Sequence, residues 1–503
     1  ASHTFTGNIN LGTGSLDVTG DVVLGANVTI TATPSSDVFS IRFRDKVDAD
    51  NASSNDRTLT LDAGTAAKIR FDQKIGNSQP LAGLTVIQSN FADFRNTVDI
   101  SDSNAGTITI TDTQDGKDVK FRVVIADNFV TTAQGYDLFF LSDTTITNAV
   151  TFQNTGTLDL GNQTSDDITF NGGVTENTTG QVTIDGLIVS SDDAITFGDI
   201  RIGANISITS VGGAISVGDI IGHGSNRDIT INSSGGSANT VVVGAISTNI
   251  NAVAITGSTS VTLNGNITTN NNSGNSVTVT GTTINTGAIT IDTNNTSNDG
   301  AITFDGAIAG GNNNLALDSG SANISANGAI ASVGTLTLTS AASATLSGDV
   351  DVTALSVDNN VGNLIFTGNG SSIVNAFAPN NTGTLTLGTS GGTQTYNGGL
   401  NTASVGGTVT LNGTIASSND VLTFGAVTLA SATTIDTNAT NTTGDLTIGV
   451  VTGGNNALTL STGDNVANTD ISASGAISGV TTLTLADVGG TATLSGDVDV
   501  TTL

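Results

Sequence analysis

The chain has 503 residues and a formal net charge of −30, with only 13 Lys and Arg residues. A basic face able to neutralise phosphates is therefore not expected, which excludes nucleic acid as a partner. Aromatic residues make up 4% of the chain, and Cys, Met and Trp are absent, which excludes disulfides, thiolate metal sites and cysteine nucleophiles. Short alternations of apolar and polar residues predict an all-β fold.

Residues 1–33 are predicted to form N-terminal solenoid coils. Segments such as 5–11 and 28–31 already resemble the repetitive sequence that begins near residue 146. The absence of Met also predicts that Ala1 is a processed end. Because a repeated segment continues past Leu355 in its first copy but stops at Leu503 in its second, the chain is predicted to belong to a longer polypeptide.

Residues 34–145 differ in composition from the rest of the chain. Eleven of the 13 Lys and Arg residues lie between Arg42 and Arg122, and nine of the 17 Phe residues lie within residues 34–145. Apolar alternation on both sides of Asp115-Gly116 predicts a β-hairpin, and a second hairpin is predicted around Gly64. We interpret residues 34–145 as an inserted antiparallel β domain with a Phe-rich core. The alternative is an N-terminal domain preceded by a strand-like leader.

From residue 146 onward, short strands alternate with clusters of Gly, Asn and Ser. This pattern leaves two architectures, a string of β-sandwiches or a parallel β-helix. Sandwiches need a substantial core each, and the aromatic residues are too few. Residues 146–503 are therefore predicted to form a right-handed parallel β-helix with coils of roughly 20 residues. The phenylalanines predicted to point inward are Phe152, Phe170, Phe197, Phe304 and Phe424.

An internal duplication supports the solenoid. Residues 261–355 recur as residues 409–503, and the sequence Val-Thr-Leu-Asn-Gly occurs at the start of both copies. Self-similarity of this kind is typical of proteins whose units bury their apolar faces by stacking on one another.

The chain contains few of the residue types that usually carry catalysis. The two histidines, His3 and His223, have no partner in the sequence that suggests a relay, and no catalytic motif occurs. The chain is therefore predicted not to be an enzyme. A polysaccharide-active β-helix enzyme that uses Asp carboxylates is kept as a distant third alternative.

Ca²⁺ is the candidate cofactor, because Asp clusters at turns supply the oxygen ligands that this cation prefers. Asp and Asn are also ordinary turn residues through their own hydrogen bonds to the backbone, and for any single cluster we favour that interpretation. The candidate metal ligands are Asp166, Asp167, Asp192, Asp193, Asp299 and Asp420.

Several phrases are shared in style with known surface proteins, among them Ala-Ile-Thr-Phe-Asp-Gly at 301–306 and Gly-Thr-Leu-Thr-Leu at 334–338. Over about residues 146–503 the chain resembles the β-strand-repeat surface proteins of bacteria, including filamentous-haemagglutinin-like exoproteins and autotransporter passengers. The resemblance implies an extracellular location on the bacterial cell surface. No stretch is apolar for long enough to predict a membrane span.

These features predict a structural subunit of an extracellular filament, sheath or surface layer. Copies would associate with one another through solenoid ends and through residues 34–145, whose cations can meet the acidic solenoid of a neighbour. The alternative is an adhesin stalk in which residues 34–145 bind a host or cell-surface ligand.

Overall fold

The computed structural model describes residues 2–50, 57–101, 106–178, 180–236, 239–270, 274, 276–294, 298–463 and 467–503. These residues contain strands and turns and no helix, and about 57% of the chain is strand. They form about 21 turns of a β-solenoid. The predicted all-β fold dominated by a parallel β-helix is confirmed.

Strands up to residue 146 have the following bounds: β1 His3–Phe5, β2 Ile9–Asn10, β3 Leu16–Val18, β4 Val22–Leu24, β5 Val28–Thr31, β6 Phe39–Phe43, β7 Val47–Ala49, β8 Thr58–Asp62, β9 Lys68–Phe71, β10 Gly83–Gln88, β11 Phe91–Ile100, β12 Thr107–Ile110, β13 Asp118–Ala126, β14 Asn128–Thr131, β15 Asp137–Phe140 and β16 Thr144–Ile146. The next group is β17 Val150–Phe152, β18 Leu158–Leu160, β19 Asp167–Phe170, β20 Val174–Glu176, β21 Val182–Ile184, β22 Leu187–Ser190, β23 Ile195–Phe197, β24 Ile200–Ile202, β25 Ile206–Ser210, β26 Ile215–Val217, β27 Ile220–Gly222, β28 Arg227–Ser233, β29 Thr240–Val243, β30 Ile246–Ser247, β31 Ile250–Leu263 and β32 Ile267–Thr268.

The remaining strands are β33 Val277–Thr286, β34 Ile289–Asp292, β35 Ile302–Ala309, β36 Leu315–Asp318, β37 Asn323–Ala326, β38 Ile330–Leu346, β39 Val350–Phe366, β40 Ser372–Ile373, β41 Leu385–Leu387, β42 Thr393–Tyr396, β43 Leu400–Asn401, β44 Val409–Ser417, β45 Leu422–Phe424, β46 Val427–Asp436, β47 Leu446–Ile448, β48 Val451–Ser461, β49 Ile471–Ala473, β50 Ile477–Ala486, β51 Ala492–Leu494 and β52 Val498–Thr502.

The chain divides into two compact units. The first comprises Ala1–Gly244, Thr248–Ile250 and Thr256–Ser258, and the second comprises Ala245–Ser247, Asn251–Ile255 and Thr259–Leu503. In the first unit, strands one coil apart pair in parallel and build ladders on three faces. The first ladder contains β3, β6, β9, β11, β13, β15, β18, β21, β24 and β27.

The hairpins predicted within residues 34–145 are wrong. Strand β12 pairs in parallel with β10 and β14, and β13 pairs in parallel with β11 and β15. Strand β8 likewise pairs in parallel with β5 and β10. The side strands of this segment, with β2 and β5 before it, form a six-stranded parallel sheet in the order β14-β12-β10-β8-β5-β2. The predicted antiparallel pairing is therefore corrected to parallel pairing, which the ladders share with the residues before and after.

The physical reason is that alternation of apolar and polar residues reports one buried strand face and not the direction of the neighbouring strand. A turn such as Asp115-Gly116 can close a hairpin or a corner of a coil. The Phe enrichment has the same origin. Instead of filling a globular core, five of the inward phenylalanines share one register column of the first ladder, namely Phe43, Phe71, Phe94, Phe121 and Phe140.

This Phe column is stacked. Ring centroids lie 4.8 Å apart for Phe43 and Phe71, 5.3 Å for Phe71 and Phe94, and 4.7 Å for Phe94 and Phe121. Further along the chain, Phe152, Phe170, Phe197, Phe304 and Phe424 are all 2% exposed or less, which confirms their predicted inward direction.

The second unit contains no Lys or Arg. Its strands also pair in parallel, and a separate five-stranded sheet has the order β43-β45-β47-β49-β51. Outward positions carry small polar side chains, as in the column Thr386, Thr410, Thr428 and Thr452. Matching Thr side chains on adjacent strands stabilise a sheet without adding charge.

Candidate functional site

The outward side of the first ladder concentrates the cations of the chain. One outward column runs in register through Asp17, Arg42, Arg70, Asp93, Lys120 and Phe139. We define the cation–aromatic face as this column together with Phe39, Arg44, Lys68, Asp72, Phe91, Arg95, Asp118, Arg122 and Asp137. It holds seven of the 13 Lys and Arg residues.

Three half-buried phenylalanine rings on this face lie against cations. The Lys68 Nζ atom is 5.8 Å from the Phe39 ring centroid, and the Arg70 guanidinium carbon is 5.4 Å from it. The Lys120 Nζ atom is 5.7 Å from the Phe91 centroid and 4.9 Å from that of Phe139. Cations at these distances are attracted to the negative face of the ring. The rings and the cations therefore hold one another in place.

Carboxylates compensate the positive charge from within the same face. Asp72 accepts a hydrogen bond from Arg42 Nη2 at 2.6 Å and from Arg70 Nε at 2.6 Å, and Arg95 Nη1 lies 3.5 Å from it. Burial raises the pKa of Asp72, but the hydrogen bonds from Arg42 and Arg70 outweigh burial and leave the pKa below its usual value. The central carboxyl, Asp93, is more deeply buried, and burial raises its pKa despite nearby Arg122, Arg70 and Lys120.

Replacing Asp72 by Asn is expected to destabilise the first unit by about 2 kcal/mol at neutral pH, because three arginines lose their shared carboxylate. A lowered folded-state pKa gives stability that is fully present above the unfolded pKa of about 3.9 and is lost as the pH falls through the folded value. The difference between wild type and Asp72→Asn should thus vanish only below about pH 4. Denaturant unfolding as a function of pH measures it.

Asp118→Asn is the matched control. Among the described residues, Asp118 forms one ion pair, in which its Oδ2 atom lies 2.6 Å from Lys120 Nζ. Both side chains are 30% exposed. Exposed single pairs contribute about 0–1 kcal/mol. Equal effects of the two substitutions would show that Asp72 does not organise the arginines.

At its later end the face continues into a shallow depression. Its lining consists of Gln181, Thr183, Asp185, Arg201, Gly203 and His223. Arg201 Nη1 donates a hydrogen bond to Gln181 Oε1 at 3.2 Å. The backbone N–H groups of Gly203 and Ala204 donate to Asp185 Oδ1 at 2.5 and 2.8 Å. These bonds run from one coil to the next and fix the polar side chains.

The six predicted metal ligands do not come together. Asp166 immediately precedes β19 and Asp167 is its first residue, whereas Asp192 and Asp193 follow β22, which pairs with β19. The two clusters therefore lie at opposite ends of this strand pair. Asp299 precedes β35 and Asp420 precedes β45, in the second unit.

The candidate carboxylates accept hydrogen bonds from their own turn or from the next coil, as Asp166 and Asp299 show. Buried Asp166 accepts the backbone N–H of Asn162 at 2.8 Å and the side-chain amide of Gln163 at 3.0 Å. Asp299 accepts the N–H and the hydroxyl of Ser321, both at 2.6 Å. In the part of the chain that the structure describes, no group of three or more His, Asp or Glu side chains is placed to hold a metal ion.

Calcium binding at these turns stays a prediction. If the turn carboxylates bind Ca²⁺, its addition should raise the melting temperature and a chelator should reverse the rise, because the ion binds only the folded chain. Differential scanning calorimetry with Ca²⁺, with Mg²⁺ and with chelator checks this. Identical melting temperatures with Ca²⁺, with Mg²⁺ and with chelator would show that these turns do not bind calcium.

Sequence reasoning missed the main use of turn Asp residues. A carboxylate in one coil accepts a backbone N–H from the next coil, as Asp137 does from Thr157 at 2.7 Å and Asp349 from Gly370 at 2.7 Å. Asp470 accepts the N–H of Thr491 in the same way at 2.7 Å. The signal available in the sequence was the recurrence of Asp and Asn at corners about one coil apart.

Fold and face together define an acidic parallel β-solenoid with one surface of mixed charge. Comparisons with protein-family models, with curated proteins and with solved structures find no match to this chain. Among the residues described, no helix is long and apolar enough to cross a membrane.

Proposed function

We propose that this chain is a structural subunit of an extracellular filament, sheath or surface layer of a bacterial cell, and that copies associate through the cation–aromatic face. One observation carries the proposal. In a chain of net charge −30, seven of the 13 cations and three half-buried phenylalanine rings are gathered on one face, interleaved with carboxylates.

Electrostatics favours this face as the contact. Acidic surfaces of two copies repel one another, and the second unit has no Lys or Arg to relieve the repulsion. A face on which Arg, Lys and Asp alternate is complementary to a second copy of itself, which gives an isologous dimer, and contacts between solenoid ends would join such dimers into a filament or lattice. Aromatic residues and Arg are also the residue types enriched at protein interfaces.

Sedimentation velocity and electron microscopy of the purified chain test the proposal. We expect concentration-dependent oligomers and ordered filaments or lattices, with dissociation at high ionic strength because the paired charges are screened. A chain that stays monomeric at all concentrations and salt levels, and that gives only isolated particles in micrographs, would refute it.

The second candidate function is an adhesin stalk that binds a cell-surface ligand through residues 34–145 or the surface next to them in the first unit. The observation that favours it is the depression at Gln181, Thr183, Asp185, Arg201, Gly203 and His223, which lies beside the face and is lined by polar side chains. An isolated rod that binds a ligand would support this function.

A further inference from the structure

Asp93 is the least compensated charge at the centre of the cation–aromatic face. Among the described residues it forms one ion pair, a long one in which its Oδ2 atom lies 3.5 Å from Arg95 Nε. Its side chain is 15% exposed and lies in register between Arg70 and Lys120. Both of these cations already form ion pairs of 2.6 Å with other carboxylates. Asp93 can therefore accept a further cation that approaches from outside the chain.

The order of residues along the outward column is complementary to the same order reversed. A two-fold axis perpendicular to the face turns a second copy so that its column runs the opposite way, with the same spacing of about 4.8 Å per coil. With the axis between Asp93 and Lys120, Asp93 of each copy comes opposite Lys120 of the other. Arg70 then comes opposite Phe139, a cation–π pair. Each of these favourable contacts occurs twice in the dimer.

Outward residues on either side of the column match in the same arrangement. Two positions before the column are Phe91 on β11 and Asp118 on β13, and two positions after it are Arg95 and Arg122. The axis exchanges the two sides, so that Phe91 comes opposite Arg122 and Asp118 comes opposite Arg95. Contacts this close to the axis are displaced least when two sheets cross at an angle, so they decide the register.

One pair of carboxylates also comes together, Asp137 of one copy and Asp72 of the other. Asp72 is surrounded by Arg42 and Arg70, each at 2.6 Å, and by Arg95 at 3.5 Å. Three guanidinium groups around one carboxylate leave a net positive charge. This cluster therefore attracts Asp137 of the second copy.

Other positions of the axis oppose like charges. An axis on Asp93 or on Lys120 places that residue against its own copy. One gap earlier along the column, Arg42 comes opposite Lys120. One gap later, Asp93 comes opposite Asp159, which follows Phe139 in the register. Like charges at an interface exclude such arrangements.

We propose that two copies of the chain pair through the cation–aromatic face about a two-fold axis between Asp93 and Lys120, so that Asp93 of each copy binds Lys120 of the other. This inference rests on the proposed function, to which it adds the geometry of the contact.

Charge reversal tests this register. Asp93→Lys alone opposes lysines on both sides of the axis, and Lys120→Asp alone opposes aspartates. We expect each variant to lower the association constant about a hundredfold or more, whereas an equimolar mixture of the two associates like the wild type because every contact then joins opposite charges. Asp93→Lys makes the chain less acidic, so general repulsion predicts the opposite result, a tighter association. Sedimentation velocity of both variants and of their mixture measures this.

Asp192→Lys and Lys74→Asp are the matched controls. They carry the same changes of charge at exposed positions of the first unit outside the cation–aromatic face, and each is expected to associate like the wild type. Asp93→Asn and Lys120→Gln cover the case in which a reversal unfolds the chain. Each removes the ionic contact without reversing a charge, and each should weaken association about tenfold or more.

Self-association of Asp93→Lys as tight as that of the wild type would overturn the inference, and so would wild-type association constants for both Asp93→Asn and Lys120→Gln. In either case an assembling wild type leaves the proposed function standing and removes only this register. A wild-type chain that stays monomeric overturns both.

Discussion

Phe94→Ala is expected to cause the largest loss of stability among single substitutions in the first unit. Phe94 is fully buried, and its ring stacks on Phe71 at 5.3 Å and on Phe121 at 4.7 Å. Truncation of a buried Phe costs about 3–5 kcal/mol through lost transfer energy and the cavity left behind. Each lost ring pair adds about 0.5–1.5 kcal/mol. Hydrogen exchange of the strands β9, β11 and β13 measures the loss locally, as a solenoid opens coil by coil.

Phe304→Ala separates the contribution of stacking from that of burial. Phe304 is equally buried, but it lies in register between Val279 and Ala326 and makes no ring contact within the described residues. We expect Phe94→Ala to exceed Phe304→Ala by about 1–3 kcal/mol, the value of two ring pairs. Equal losses would mean that the Phe column stabilises by volume alone.

The fold could be predicted from residue 146 onward because alternation, Gly-Asn turns and the duplication all indicate stacked strands. The strands within residues 34–145 could be predicted, but their parallel pairing partners could not. Register depends on the length of each coil, and the coils there vary in length: register partners are 28 residues apart at Phe43 and Phe71, 23 at Phe71 and Phe94, and 19 at Phe121 and Phe140. Without the register, stacked phenylalanines and a globular Phe core give the same composition.

The site was only partly accessible from the sequence. The concentration of Lys and Arg between Arg42 and Arg122 was visible in the sequence, and the cation–aromatic face lies mostly within that segment. That Arg42, Arg70 and Arg95 share the carboxylate of Asp72 was not visible, because these residues lie on three different coils.

The double substitution Lys120→Glu with Arg122→Glu is expected to abolish self-association. Both side chains project from β13 near the centre of the cation–aromatic face, where Lys120 contacts the rings of Phe91 and Phe139 and bonds Asp118 at 2.6 Å. Reversal places two carboxylates beside Asp93 and Asp118, so that two copies present like charges to one another. Like-charge contact at an interface costs several kcal/mol, enough to lower an association constant by about a thousandfold or more.

Lys46→Glu with Lys74→Glu is the control, with the same change in net charge. These lysines occupy a corner beside the ladder, since Val47 and Ile75, which follow them, form a parallel bridge. Sedimentation velocity of both double variants and the wild type at matched ionic strength separates the two explanations. If net charge alone limits assembly, the two variants dissociate alike. If the cation–aromatic face is the contact, the control assembles like the wild type, whereas the Lys120 and Arg122 variant stays monomeric at the ionic strength at which the wild type assembles.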